Sequence, residues 1–80
     1  VYVKALTELR AAIRMDSRNA LLHANLARAL QQCGDLKLAD QTFRKALELN
    51  STSAEVHLLY AKFLFDVYCN QVRELKLVQD

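Results

Sequence analysis

The chain has 80 residues, enough for one small domain with a marginal hydrophobic core. Hydrophobic residues make up 52% of it and charged residues 25%, which excludes an intrinsically disordered segment. A net charge of +2 with both signs interleaved argues against a nucleic-acid partner. No apolar run approaches the roughly 20 residues that a bilayer requires, so we expect no membrane insertion.

One glycine and no proline leave few positions for tight turns, so the composition predicts helices joined by short connections. In chain order, the predicted amphipathic helices cover residues 1–15, 20–33, 36–49 and 54–69. A short closing helix is predicted over 71–79, after a turn at Asn70, because asparagine tolerates the left-handed conformation. The chain begins inside a helical pattern and without methionine, so we expect it to be part of a longer protein.

Two stretches of the chain, "LRAAIRMD" (9–16) and "FRKALELN" (43–50), carry nearly the same pattern 34 residues apart. The same offset pairs small residues with small ones and histidine with histidine. Such pairs include Ala5 with Ala39, Ala12 with Ala46, His23 with His57, Ala27 with Ala61, and Leu30 with Leu64. The chain therefore contains a sequence repeat with a period of 34 residues.

A 34-residue period is that of a two-helix unit, and the unit over 20–53 resembles the tetratricopeptide repeat family. The residues that carry the resemblance are Ala27, Gly34, Ala39, Phe43 and Ala46, with Ala61 repeating Ala27 one unit later. The resemblance implies an all-α fold, in which antiparallel helix pairs stack as a right-handed solenoid of about two to two and a half repeats. It also implies three units: the second helix of a partial repeat (1–19), a complete repeat (20–53) and a terminal or degenerate repeat (54–80).

Physical roles follow for several of these positions. Ala27 and Ala39 allow two helix backbones to approach closely, and Phe43 fills the remaining gap toward the next unit. Gly34 can adopt the left-handed conformation that ends a helix. Thr52, with Glu55 three residues later, has the pattern of a capping box at the start of the next helix.

His23 and His57 are the obvious candidates for chemistry, since they are the only histidines and lie one period apart. They stand where the family usually has tryptophan, so ring packing is the favoured interpretation. A hydrogen bond to a partner and a shared metal are the alternatives, but two histidines without a third ligand make a weak site. With no phosphate-binding loop, nucleophile signature or carboxylate pair, we expect no catalytic residues, metal or cofactor.

The resemblance implies that the first helix of each unit lines a concave groove. The groove residues expected to bind a partner are Asn25, Arg28, Gln32, Leu58, Lys62 and Phe65. Arg28 and Lys62, one period apart, would suit a peptide with an acidic group, although exposed charges are often simply solvated. A clamp for acidic chaperone tails is not expected. Such a clamp needs basic residues at two positions that Glu55 and Leu59 occupy here.

The helix over 54–69 is apolar on nearly every side and must be covered. Either further repeats of the same chain or a partner would cover it, and we also expect self-association through the uncapped ends of the stack. The predicted function is a protein–protein interaction scaffold. The alternatives are spacer repeats in a large assembly, or a substrate-selecting module of an enzyme whose catalytic domain lies outside this chain.

The location expected from the sequence is the cytoplasm. Cys33 and Cys69 show no metal-ligand spacing or disulfide framework, which favours a reducing compartment. The triplet Asn50–Thr52 matches a glycosylation acceptor, which would matter only in a secretory compartment.

Overall fold

A computed structural model describes the backbone of residues 2–79 and the side chains of residues 3–71. Its helices are α1 (Tyr2–Met15), α2 (Ala20–Gln32), α3 (Leu36–Leu49) and α4 (Ala54–Gln79). The part of the chain that the structure describes contains no strand, so the all-α fold predicted from the sequence is confirmed.

Helix α2 is the centre of the arrangement. It packs most extensively against α3 and also contacts α1 and α4, while α3 contacts α4 as well. Burial is confined to small and apolar side chains on the facing sides of these helices. The buried residues are Ala20, Ala24, Ala27, Leu30, Ala39, Phe43, Ala46, Val56 and Phe63. Because alanine predominates on α2, the neighbouring backbones approach closely and the larger rings fill the space that remains.

Side chains that precede the helices determine where each helix begins. The Oδ1 atom of Asn19 accepts hydrogen bonds from the first amides of α2, and that of Asp35 accepts one from the amide of Leu38 in α3. At α4 the cap is Ser53, whose Oγ accepts from the amide of Val56 at 3.3 Å. The capping box predicted at Thr52 is therefore wrong by one residue, because Thr52 instead donates twice to Oδ1 of Asn50.

Gly34 ends α2 and turns the chain into α3. Its φ angle is +90°, and the amide of Asp35 donates to the carbonyl of Leu30 at 3.1 Å while that of Gly34 donates to Gln31 at 3.0 Å. This pair of bonds is the Schellman motif, which requires a left-handed residue at the position of Gly34. The three-residue connection between the two helices thus depends on one glycine.

The turn predicted at Asn70 is wrong, since α4 continues without a break from Ala54–Gln79. Residues 54–79 contain neither glycine nor proline, and asparagine inside a helix costs less than about 1 kcal/mol. Nothing local therefore ends the helix. Ala61, the counterpart of the buried Ala27, remains exposed on this uninterrupted helix. The division into units 1–19, 20–53 and 54–80 stays a prediction.

Candidate protein-binding site

The residues predicted to line the groove lie on α2 and α4. On α2, Asn25 is half-buried, and Arg28 and Gln32 are exposed. On α4, Leu58, Lys62 and Phe65 are exposed and lie three to four residues apart, which places them on one face of the helix.

Two clefts lie along α4, and Phe65 and Asp66 belong to both. The first has a volume of about 420 Å³ and lies between α4, the end of α2 and the start of α3. Its lining comprises Gln31, Gln32, Leu36, Phe65, Asp66, Val67, Cys69 and Asn70. The second has a volume of about 370 Å³ and is lined by Ala61, Lys62, Phe65 and Asp66.

The structure brings half of the predicted groove residues to these clefts. Gln32 and Phe65 share the first, and Lys62 and Phe65 share the second. The linings of the two clefts do not include Asn25, Arg28 or Leu58.

A hydrogen bond links two residues that line the first cleft. Nε2 of Gln31 donates to Oδ2 of Asp66 at 3.2 Å, joining the last turn of α2 to the middle of α4. Leu36, Cys69 and Asn70 line the same cleft without having been predicted there. The 34-residue offset could not place the last two, because it assigned Asn70 to a turn that α4 does not make.

Each of the two histidines forms a hydrogen bond with the loop that precedes its helix. Nε2 of His23 lies 3.0 Å from the carbonyl oxygen of Ser17, and Nε2 of His57 lies 2.7 Å from that of Ser51. A carbonyl can only accept, so Nε2 carries the proton in both rings. The described residues hold no group of three or more histidine, cysteine, aspartate or glutamate side chains that could bind a metal.

A polar group that sequence reasoning missed joins α3 to α4. The hydroxyl of Tyr60 donates to Oδ1 of Asp40 at 2.7 Å, and Nε of Arg44 contacts Oδ2 of the same carboxylate at 3.1 Å. Hydrogen bonding to Tyr60 and the negative charge of Asp40 raise the pKa of Arg44 above its ordinary value, so its guanidinium stays charged. This group keeps α4 in register with α3.

Aromatic packing lies directly beside this polar group. The ring centroid of Phe43 is 5.4 Å from that of Tyr60 and 5.2 Å from that of Phe63, both in tilted arrangements. Aromatic pairs at such distances add about 0.5–1.5 kcal/mol to the energy of burial. The cluster therefore holds the buried side of α4 in place and leaves the side with Phe65 available.

No helix among the described residues is both long and apolar enough to span a membrane.

Comparisons with known proteins agree with this architecture. The family model for the tetratricopeptide repeat matches residues 2–63. A protein of Pseudomonas aeruginosa, the type IV pilus assembly protein PilF, is 40% identical over 63 residues, which are 79% of this chain and 25% of that protein. The chain thus spans about a quarter of this relative's length. No solved structure shows significant similarity. The chain belongs to the tetratricopeptide repeat family, whose repeats generally mediate protein–protein interaction.

Proposed function

We propose that this chain binds a segment of a partner protein along α4, in the two clefts that Phe65 lines. The observation that carries the proposal is the placement of Phe65, a large aromatic side chain that is 67% exposed and lines both clefts. Aromatic side chains in such positions supply much of the binding energy at protein interfaces.

Polar side chains around Phe65 would orient the bound segment. The amides of Gln32 and Asn70 offer donors and acceptors to an extended backbone in the first cleft. In the second cleft Lys62 would attract an acidic group of the partner, with Arg28 as a further cation on α2. Asp66 lines both clefts and would repel the same acidic group. An acidic group would therefore lie on the Lys62 side.

A spacer role in a larger assembly is the second candidate. It is supported by the relative from Pseudomonas aeruginosa, which is named as a pilus assembly protein. In that case the repeats would hold other parts of an assembly apart, and the clefts would be empty in the working complex. A third possibility is a module that selects substrates for an enzyme whose catalytic domain lies outside this chain. Such a module would use the same clefts, and the bound partner would then be the substrate of that enzyme.

Two further points belong to the proposal. We assign no catalytic role to the chain, in keeping with a family that is typically a protein-interaction module. We also keep the cytoplasm as its location, which suits two free thiols, Cys33 exposed and Cys69 half-buried. Fractionation of the source cell would test the location directly.

The test is peptide selection from a random displayed library, followed by calorimetric titration of the selected peptides. Phe65→Ala should weaken binding at least tenfold, which corresponds to about 1.4 kcal/mol. The matched control is Tyr68→Ala on the same helix, because Tyr68 is 66% exposed and lies outside both cleft linings. The double variant Arg28→Glu, Lys62→Glu should weaken acidic peptides more than neutral ones.

The outcomes separate the candidates. Loss of binding in Phe65→Ala with Tyr68→Ala unchanged would support the cleft site. Equal losses in both would place the contact on the exposed face of α4 in general. If no peptide is selected, the spacer role is favoured.

A further inference from the structure

The two clefts along α4 differ in charge. Among the described residues that line the first cleft, Asp66 alone carries a formal charge. Three carboxamides, those of Gln31, Gln32 and Asn70, belong to the same lining. A carboxylate accepts hydrogen bonds and donates none, and each carboxamide oxygen accepts as well. The first cleft therefore suits a positively charged group that carries several donors.

The carboxylate of Asp66 is held by α2 and keeps most of its capacity to accept hydrogen bonds. Its Oδ2 atom accepts one bond, from Nε2 of Gln31 at 3.2 Å. An ionised carboxylate has about four lone-pair sites, so both oxygens can accept further bonds. Lys62, four residues earlier on α4, forms no ion pair with Asp66. The negative charge thus remains for a bound cation.

Phe65 adds an aromatic surface to the same cleft. It precedes Asp66 in the chain, its side chain is exposed, and both residues line the cleft. A cation over the face of an aromatic ring is attracted by the ring quadrupole. Arginine suits this combination better than lysine, because its planar guanidinium stacks on a ring and forms two parallel hydrogen bonds with a carboxylate.

We propose that the first cleft receives an arginine side chain of the bound partner segment, with its guanidinium against Asp66 and the ring of Phe65. The inference rests on the proposed function, since it names a residue that the partner segment carries. It also sets the order of charges in that segment. The arginine lies in the first cleft, and an acidic group lies beside Lys62 in the second.

The test uses capped single amino acids, so it does not require a selected peptide. Nα-acetyl-arginine amide is titrated into the isotope-labelled 80-residue chain. Binding is followed by NMR through the side-chain amide resonances of Gln31, Gln32 and Asn70, which line the first cleft. Nα-acetyl-citrulline amide is the neutral probe, because its urea group has nearly the shape of a guanidinium without the charge. Nα-acetyl-lysine amide carries the charge without the planar group.

Two variants show whether the charge of Asp66 is responsible. Asp66→Asn removes the charge and keeps the shape of the side chain, including an oxygen that can accept from Gln31. Glu55→Gln is the matched control, because Glu55 is an exposed carboxylate of α4 that belongs to neither cleft lining. Each variant loses one negative charge, so a general electrostatic effect would appear equally in both. Circular dichroism checks that each variant keeps its helices.

In wild type and Glu55→Gln the arginine probe should bind about fivefold more tightly than the citrulline probe. In Asp66→Asn this preference should shrink to less than about twofold, since only the contact with Phe65 still favours the cation. Equal affinities of the two probes in wild type, or an unchanged preference in Asp66→Asn, would overturn the proposal. Lysine binding as tightly as arginine would also overturn it, by showing that the cleft recognises charge alone.

The peptides selected from the displayed library keep this inference separate from the proposed function. Peptides that lose affinity in Phe65→Ala, yet bind equally well when citrulline replaces arginine, would support the proposed function and overturn this inference. If no peptide is selected while the arginine probe binds in an Asp66-dependent way, the proposed function fails and the preference of the first cleft for arginine is supported.

Discussion

Nε2 of His57 lies 2.7 Å from the carbonyl oxygen of Ser51, six residues earlier, and so ties the first turns of α4 to the loop that precedes it. The same bond joins His23 to Ser17 at 3.0 Å at the start of α2. Each histidine therefore donates a ring N–H to the loop that precedes its helix. The sequence predicted only that these rings pack against a neighbouring helix, and did not predict this hydrogen bond. The indole of the family's usual tryptophan also carries a donor and no acceptor.

Replacing either histidine by phenylalanine should destabilise the fold. The ring is kept but the donor is lost, and a hydrogen bond of this kind contributes about 0.5–1.5 kcal/mol. Urea unfolding followed by circular dichroism gives the difference. His23→Trp and His57→Trp are the controls, since each restores a ring donor. Phenylalanine variants as stable as wild type would mean that the bonds contribute nothing.

Tyr60→Phe should lower the free energy of unfolding by about 1 kcal/mol, because it removes a hydrogen bond to a charged carboxylate that is only partly shielded from water. Asp40 keeps its contact with Arg44 in this variant. A double-mutant cycle with Asp40→Asn isolates the interaction between the hydroxyl and the carboxylate. A coupling energy of zero would show that the hydroxyl is equally well satisfied by water.

Phe43→Ala should cost about 3–5 kcal/mol, since it leaves a cavity where two other rings pack against a fully buried side chain. A loss of that size approaches the whole stability of a small domain, so we expect no cooperative thermal transition. Phe65→Ala removes the same side chain at an exposed site and should change stability by no more than about 0.5 kcal/mol. Comparable losses in the two variants would contradict the assignment of the core.

Gly34→Ala should cost about 1–2 kcal/mol, because a Cβ atom is disfavoured at a φ angle of +90°. A Cβ atom at this position would meet no heavy atom within 4 Å, so the cost comes from the backbone alone. Gly34→Asn should cost less, since asparagine visits the left-handed region more readily. If the two variants lose equal stability, the conformational explanation fails. Thermal unfolding of the three proteins in parallel provides the measurement.

The sequence alone predicts the helix pair well because several independent signals agree there. Gly34 marks the turn, and the spacing of Ala39, Phe43 and Ala46 marks the buried side of α3. These features depend on residues close together in the chain, so periodicity detects them. The resemblance to the tetratricopeptide repeat family, as seen in the sequence, rests on the same residues.

The repeat pattern gave a wrong prediction after residue 69, where the sequence has no glycine or proline to end the helix. The period placed a turn near Asn70, but a turn needs a residue that ends the helix, and α4 has none. The groove was only partly predictable for a related reason. Cys69 and Asn70 reach the first cleft only because α4 stays helical, and the bond from Gln31 to Asp66 joins residues 35 apart in the chain.

The unbroken α4 also governs how the molecule moves in water. With 26 residues it is about 39 Å long, and the particle measures 50 Å in its longest dimension and 15 Å in its shortest. At 50 × 30 × 15 Å the particle is elongated and flattened, and such a particle diffuses more slowly than a sphere of equal mass. A single copy will therefore leave a gel-filtration column somewhat earlier than its mass implies. Only a method that reports mass without assuming a shape can count its copies.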